Sequence, residues 1–186
     1  MKLRFVVCLI ALLTLSGAAV RAQDTPKVDI FAGYSYLRAN PATSGADSFN
    51  LHGGSASLAY NFNHWLSGVA DFGGYHSGDI LGSGVDGTLS TYLFGPRVSY
   101  RHFDRITPFG QVLFGTAHAS ASAFGTSGAD NAFAMSVGGG VDVKVREHLA
   151  IRPFQLDYLM TRFPEATSGG QTQNNLRVST GVVFRF

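Results

Sequence analysis

The chain has little of what usually holds a small exported domain together. It carries one cysteine in 186 residues, so no intrachain disulfide can form. Charge is scarce at 14%, and 14 Lys and Arg stand against 12 Asp and Glu. A balance that even excludes a basic nucleic-acid face as the organising feature. Beyond the N-terminal region there is no continuous run of the roughly 18 apolar residues that a membrane-spanning helix needs. If this chain enters a bilayer, it does so as strands. What it has instead is 23 Gly, 15 Phe and 7 Tyr.

The first 22 residues read MKLRFVVCLIALLTLSGAAVRA. Lys2 and Arg4 precede an apolar run from Phe5 to Leu15, and small residues flank Arg21 at the end. This is the pattern of a secretory signal peptide, too short to span, with cleavage expected before Gln23. Cys8 lies inside the apolar run rather than at its end, which argues against a lipid-anchored cysteine. Three basic residues leave with the leader, so the remaining 164 residues, 23–186, carry 11 basic against 12 acidic groups and form one expected domain.

Alternating apolar and polar positions bounded by turn formers predict eight strands. The first, 28–37, puts Val28, Ile30, Ala32, Tyr34 and Tyr36 on one face and Asp29, Phe31, Gly33 and Ser35 on the other. The others run at about 52–62, 65–75, 88–100, 108–118, 132–145, 149–163 and 174–186. Polar segments at 38–50, 76–87, 119–131 and 164–173 alternate with short connections at 61–64, 101–107 and 146–148. Sequential antiparallel neighbours follow from the short turns. Pro96 removes a ladder donor and is expected to mark a bulge or a strand end. In the seventh strand Arg152 and Arg162 share a parity with Phe154, Leu156, Tyr158 and Met160. Ten residues at about 3.3 Å each, tilted by roughly 40°, rise about 25 Å, so the two arginines are expected to snorkel to opposite interfaces of an apolar band. Tyr34, Tyr36, Tyr60, Phe62, Trp65, Tyr75, Tyr100 and Phe103 fall near strand ends, as an aromatic belt requires.

The last stretch, NNLRVSTGVVFRF, alternates Leu176, Val178, Thr180, Val182, Phe184 and Phe186 with Asn175, Arg177, Ser179, Gly181, Val183 and Arg185. It is similar to the C-terminal strand of bacterial outer-membrane β-barrels, and residues 23–186 resemble the small barrels of that family, the OmpA-like transmembrane domain and OmpX-like proteins. GYSYL at 33–37, VADF at 69–72 and RVSTGVVFRF at the end carry the resemblance. It implies an all-β, eight-stranded antiparallel up-and-down transmembrane β-barrel in the outer membrane, a Gram-negative cell-envelope setting, and contact with outer-membrane lipids including lipopolysaccharide. It also implies that Val182, Phe184 and Phe186 form an assembly signal read by the barrel-assembly machinery. No peptidoglycan-binding domain of the OmpA kind follows, so wall tethering is not implied. The rival of the same strand number is a soluble barrel of the lipocalin type, which would need polar outward faces.

On the opposite parity Asp29, Asp71, Arg97, Gln111, Asp142, Lys144, Gln155, Asp157, Arg177 and Arg185 would face inward. An eight-stranded barrel is just wide enough for side chains to fill, so these groups are expected to pair as a plug. A narrow conductive path through them is the alternative. His52, His76 and His118, near Ser77, Ser120 and Asp79, could in principle build a lipid hydrolase, but no motif surrounds them and interfacial histidines are the plainer reading. His64, His102 and His148 are too scattered for a metal, and the glycines at 73–74 and 138–140 lie within strands rather than before a helix. The expectation is therefore a non-enzymatic envelope protein with no cofactor, no metal and no nucleic-acid partner, its loops open to an extracellular ligand. Deletion of Phe186 is expected to reduce membrane insertion while leaving secretion intact; normal accumulation of heat-modifiable protein would refute the assembly signal.

Overall fold

The computed structural model of the protein describes residues 25–40, 48–78, 86–123, 126–163 and 171–186. The leader, Cys8, Asp79 and most of the first, second and fourth polar connections lie outside these residues. Eight strands follow one another: β1 Val28–Ala39, β2 Phe49–Asn61, β3 Leu66–Ser77, β4 Asp86–Ser99, β5 Ile106–Ala123, β6 Thr126–Arg146, β7 Leu149–Phe163 and β8 Gln171–Arg185. Each is antiparallel to its sequence neighbours, and β8 returns to β1 to close the sheet. The seam runs from Asp29↔Arg185 to Arg38↔Leu176 and is extended by reciprocal bonds between Val28 and Phe186, 3.0 and 2.9 Å long.

Closure makes the period of two visible as inside and outside. Along β1, Asp29, Phe31, Ser35 and Leu37 are buried, whereas Ile30, Ala32 and Tyr34 are exposed. The exposed face carries large apolar side chains all round: Leu58, Phe72, Phe94, Phe114, Val137, Leu156 and Phe184 among them. A soluble barrel would present polar groups there, so the lipocalin alternative fails on this surface. Around the turn end, Tyr60 with Phe62 and Tyr100 with Phe103 meet at centroid distances of 5.5 and 5.7 Å, as part of an aromatic girdle.

Four expectations need correction. Residues 119–131 are largely strand, because β5 and β6 pair from Ile106↔Val143 out to Ala123↔Thr126. Small Ala and Ser residues read as turn formers, but cross-strand pairing overrides so weak a local preference. Tyr75 is not in the girdle: it shares the parity of Asp71, points inward and is 1% exposed. Pro96 causes no bulge, since the β4–β5 register is the same at Phe94↔Phe114 and Arg97↔Gln111. The bulge is at Pro153. Between Arg152 and Gln155 the pairing of β7 shifts against β8, and it shifts against β6 between Val141 and Val143. Pro153 and Phe154 are both exposed, so the parity flips and Arg152 turns inward to 1% exposure rather than snorkelling. Arg162, beyond the bulge, is exposed as expected. Deleting Pro153 would join inward Arg152 directly to outward Phe154 and inward Gln155, so the strand would alternate without a bulge and Arg152 would keep its buried carboxylate. The deletion is therefore expected to leave the urea midpoint close to that of the intact chain, whereas Arg152→Met, which strands the buried Asp142, is expected to cost about 3–5 kcal/mol; equal midpoints for the two variants would count against Arg152 as the partner of Asp142.

Candidate functional site: the barrel interior

The lumen is divided into two halves. Toward the loop end, Leu37, Leu51, Leu93, Leu113, Leu159, Ala117, Ala132 and Ala134 cluster around Tyr75, with Phe49 and Leu89 packed against them. Leu37, Leu93, Leu113 and Leu159 have no exposed surface at all. Each fully buried leucine contributes about 1.5–3 kcal/mol relative to exposure. The sequence reading assigned a polar set to the interior and did not single out this layer, although every member lies on an inward parity.

Toward the turn end the filling is polar and connected. Arg177 of β8 is fully buried and reaches across the barrel. Its Nη1 donates to Asp71 Oδ1 of β3 at 2.6 Å and to the Tyr75 hydroxyl at 3.2 Å, and its Nε donates to Asp157 Oδ2 of β7 at 3.0 Å. Asp157 also accepts from Gln155 Nε2 at 2.6 Å and from Gln111 Nε2 at 3.2 Å. Gln111 Oε1 in turn accepts from Arg97 Nε and Nη2 at 3.1 and 2.9 Å. Asp157 fits because its neighbour on β6 is Gly138, where a Cβ would collide with the Asp157 carboxylate and the Leu156 carbonyl. This, not a phosphate loop, is the use of that glycine.

Arg152, delivered by the bulge, forms the lower centre. Its Nε and Nη2 grip both oxygens of Asp142 at 2.7 and 3.1 Å, and its Nη1 donates to Gln155 Oε1 at 2.7 Å. The guanidinium carbon lies 4.4 Å from the ring centroids of both Phe31 and Phe109. Arg97 lies 4.4 Å from the Phe109 ring as well. Inward aromatic faces thus take the place of a carboxylate for Arg97 and add to Asp142 for Arg152. At the rim, Arg185 Nη2 is 3.4 Å from Asp142 Oδ2, and Arg101, from the β4–β5 turn, donates to Asp29 Oδ2 at 3.0 Å and to Asn61 Oδ1 at 3.1 Å. Burial pulls the Arg101 guanidinium below its ordinary pKa, with Arg185 acting the same way and Asp29 opposing.

Of the ten residues assigned to the interior from sequence, the structure places Asp29, Asp71, Arg97, Gln111, Asp142, Gln155, Asp157, Arg177 and Arg185 inside. Lys144 is corrected: it shares the parity of Asp142 but lies beyond the last β5 pairing, is exposed, and joins no ion pair among the described residues. Arg152, Arg101, Phe31, Phe109 and Tyr75 complete the network and were absent from that set. Val182, Phe184 and Phe186 all face outward and are exposed.

The histidines do not converge. His52 Nδ1 is 2.5 Å from the Tyr34 hydroxyl, His76 Nδ1 is 3.3 Å from Thr88 Oγ1, and His118 Nδ1 is 2.9 Å from Asn131 Oδ1. None is bonded to Ser77 or Ser120. His102 packs against Tyr100 and Phe103, and His148 Nδ1 meets the Arg185 carbonyl oxygen at 3.0 Å. Among the described residues no group of three His, Cys, Asp or Glu could hold a metal ion.

A closed, apolar-coated eight-stranded sheet with long connections at one end and short turns at the other defines an outer-membrane β-barrel. The comparisons agree. A family model described as outer membrane protein β-barrel domain matches residues 5–186, and the chain belongs to that family. No curated protein matches the sequence. Among solved structures, Ail, the attachment invasion locus protein of Yersinia pestis, superposes with a TM-score of 0.62 at 19% identity, covering 87% of this chain and 99% of Ail. Neisserial surface protein A superposes at 0.68 with 14% identity, over 88% of this chain and 100% of that one. The N-terminal β-barrel domain of Pseudomonas aeruginosa OprF gives 0.53 at 14% identity, over 87% and 98%. At such identities the likeness is one of fold. The protein resides in the outer membrane, which makes the turn end periplasmic and the loop end extracellular.

If Arg177 bridges Asp71 and Asp157, Arg177→Met leaves two buried carboxylates facing each other and should cost about 3–5 kcal/mol. Replacing all three with Met, Leu and Leu should recover most of that loss in a urea titration. A triple variant no more stable than the single one would show that the charges are not coupled.

Proposed function

We propose that the protein is a non-enzymatic structural component of the outer membrane whose barrel is closed to ions and which presents its connections at the cell surface. The observation that carries this reading is the apolar layer. A conductive path needs continuous polar lining, and Leu37, Leu51, Leu93, Leu113 and Leu159, all 3% exposed or less, fill the extracellular half of the lumen above the polar network. The network beneath it is paired across β3, β5, β7 and β8 and holds the wall as an internal tie.

The loop end supports a role in contact. Arg38, His52, His76 and Arg162 are exposed on the outward parity there, where phosphate groups of lipopolysaccharide lie. We assign lipopolysaccharide as the surrounding lipid and the barrel-assembly machinery as the reader of Val182, Phe184 and Phe186 during insertion, after removal of residues 1–22 as a leader. A Yersinia pestis barrel of this fold was crystallised with the heparin analogue sucrose octasulfate. That precedent favours an extracellular ligand, taken through the long connections, for this chain too.

Planar-bilayer recording tests the closed barrel. Purified protein is expected to give no stepwise conductance in 1 M KCl, and replacing Leu93 and Leu113 with Ser is expected to introduce it. Reproducible single-channel steps from the unaltered protein would overturn the structural reading in favour of a small pore.

A further inference from the structure

The interior does not balance its charge. Buried Asp29, Asp71, Asp142 and Asp157 face buried Arg97, Arg152, Arg177 and Arg185, and Arg101, with a side chain 14% exposed, adds a fifth cation from the periplasmic turn. The ion pairs divide these groups unevenly. Arg177 alone serves Asp71 and Asp157, whereas Arg101, Arg152 and Arg185 share Asp29 and Asp142. Arg97, which joins no ion pair and reaches Asp157 through Gln111, offsets the extra carboxylate beside Arg177, so the positive excess lies among Arg101, Arg152 and Arg185 toward the periplasmic mouth. Three unmatched guanidinium donors lie there too: Arg101 Nε, Arg101 Nη1 and Arg185 Nε are buried and meet no acceptor in the protein, whereas the unmatched Arg177 Nη2 lies 2.9 Å from the Asp157 carboxylate that neutralises it.

Arg101 and Arg185 flank one carboxylate. Arg101 Nη2 is 3.0 Å from Asp29 Oδ2, and Arg185 Nε is 3.8 Å from Asp29 Oδ1, an oxygen that is also unmatched. A bridging water could serve Arg185 Nε and Asp29 Oδ1 together, but it would leave the two Arg101 donors and the surplus charge as they are. A buried cation without a counter-charge is costly, and the least costly remedy is an anion drawn from solution. We propose that the periplasmic mouth binds a small inorganic anion of the halide class on the guanidinium groups of Arg101 and Arg185. These are the two most exposed of the interior arginines, with side chains 14% and 9% accessible, so the ion enters from the periplasm. Its size is limited because Asn61 and Asp29 already occupy Arg101 Nη2, and Asp142 occupies Arg185 Nη2. The site is structural, and it is separate from the extracellular face.

Thermal unfolding of the folded protein in detergent micelles, at constant ionic strength with sodium chloride exchanged for sodium gluconate, tests it. Chloride is expected to raise the midpoint saturably by about 2–4 °C, and Arg101→Gln is expected to abolish that dependence. Equal midpoints in the two salts, or an undiminished chloride response in Arg101→Gln, would overturn the site. Crystals grown in sodium bromide supply a readout that needs no variant. An anomalous peak within hydrogen-bond distance of Arg101 or Arg185 is expected, and its absence at full bromide exchange would count against the proposal.

Discussion

Backbone hydrogen bonds in lipid have no water to fall back on, and the pairing of β8 with β1 is what leaves none of the sheet's edge unmatched. Everything inside follows from that closure. With eight strands the lumen is about one or two side chains wide. Whatever the inward parity presents must meet its counterpart from the opposite wall, so a charge on β8 finds its partner on β3 rather than in solvent. Outside, the same closure turns every other residue toward lipid. The apolar coat and the charged filling are two readings of one alternation.

Filling a narrow tube with unequal side chains calls for compensation between neighbours. Gly138 makes room for Asp157, and Phe31 and Phe109 supply ring faces where a further carboxylate would have brought its own desolvation cost. The bulge at Pro153 belongs to the same economy of space. It turns one long cation from the lipid face to the centre of the barrel, where Asp142 receives it with both oxygens.

Much of this was legible in the sequence because a period of two is local. The faces predicted for β1 and β8 are those found, with Asp29, Phe31, Arg177 and Arg185 inward and Ile30, Tyr34, Val182 and Phe184 outward. The inner apolar layer was equally available, since Leu37 and Leu159 share the parities of Asp29 and Asp157, but attention to charges hid it. The misplaced residues share a cause. Periodicity carries no information about an inserted residue, so one bulge reversed Arg152. Strand ends are set by the partner, so Lys144 lies past the last β5 pairing while still paired with Ala150 of β7, and residues 119–123 joined the sheet. Arg101 lies in a turn with no period at all, and only the folded rim brings it to Asp29.

The uneven filling of the lumen also bears on the compartment with which the buried charges communicate. A layer of leucine lies between them and the loop end, whereas Arg101, Arg185 and Asp29 lie at the turn end with side chains 14%, 9% and 6% exposed. On the closed-barrel reading, protons and water reach the network from the periplasmic side, a potential difference across the barrel falls over the apolar half, and the ionic half shares the potential and the pH of the periplasm.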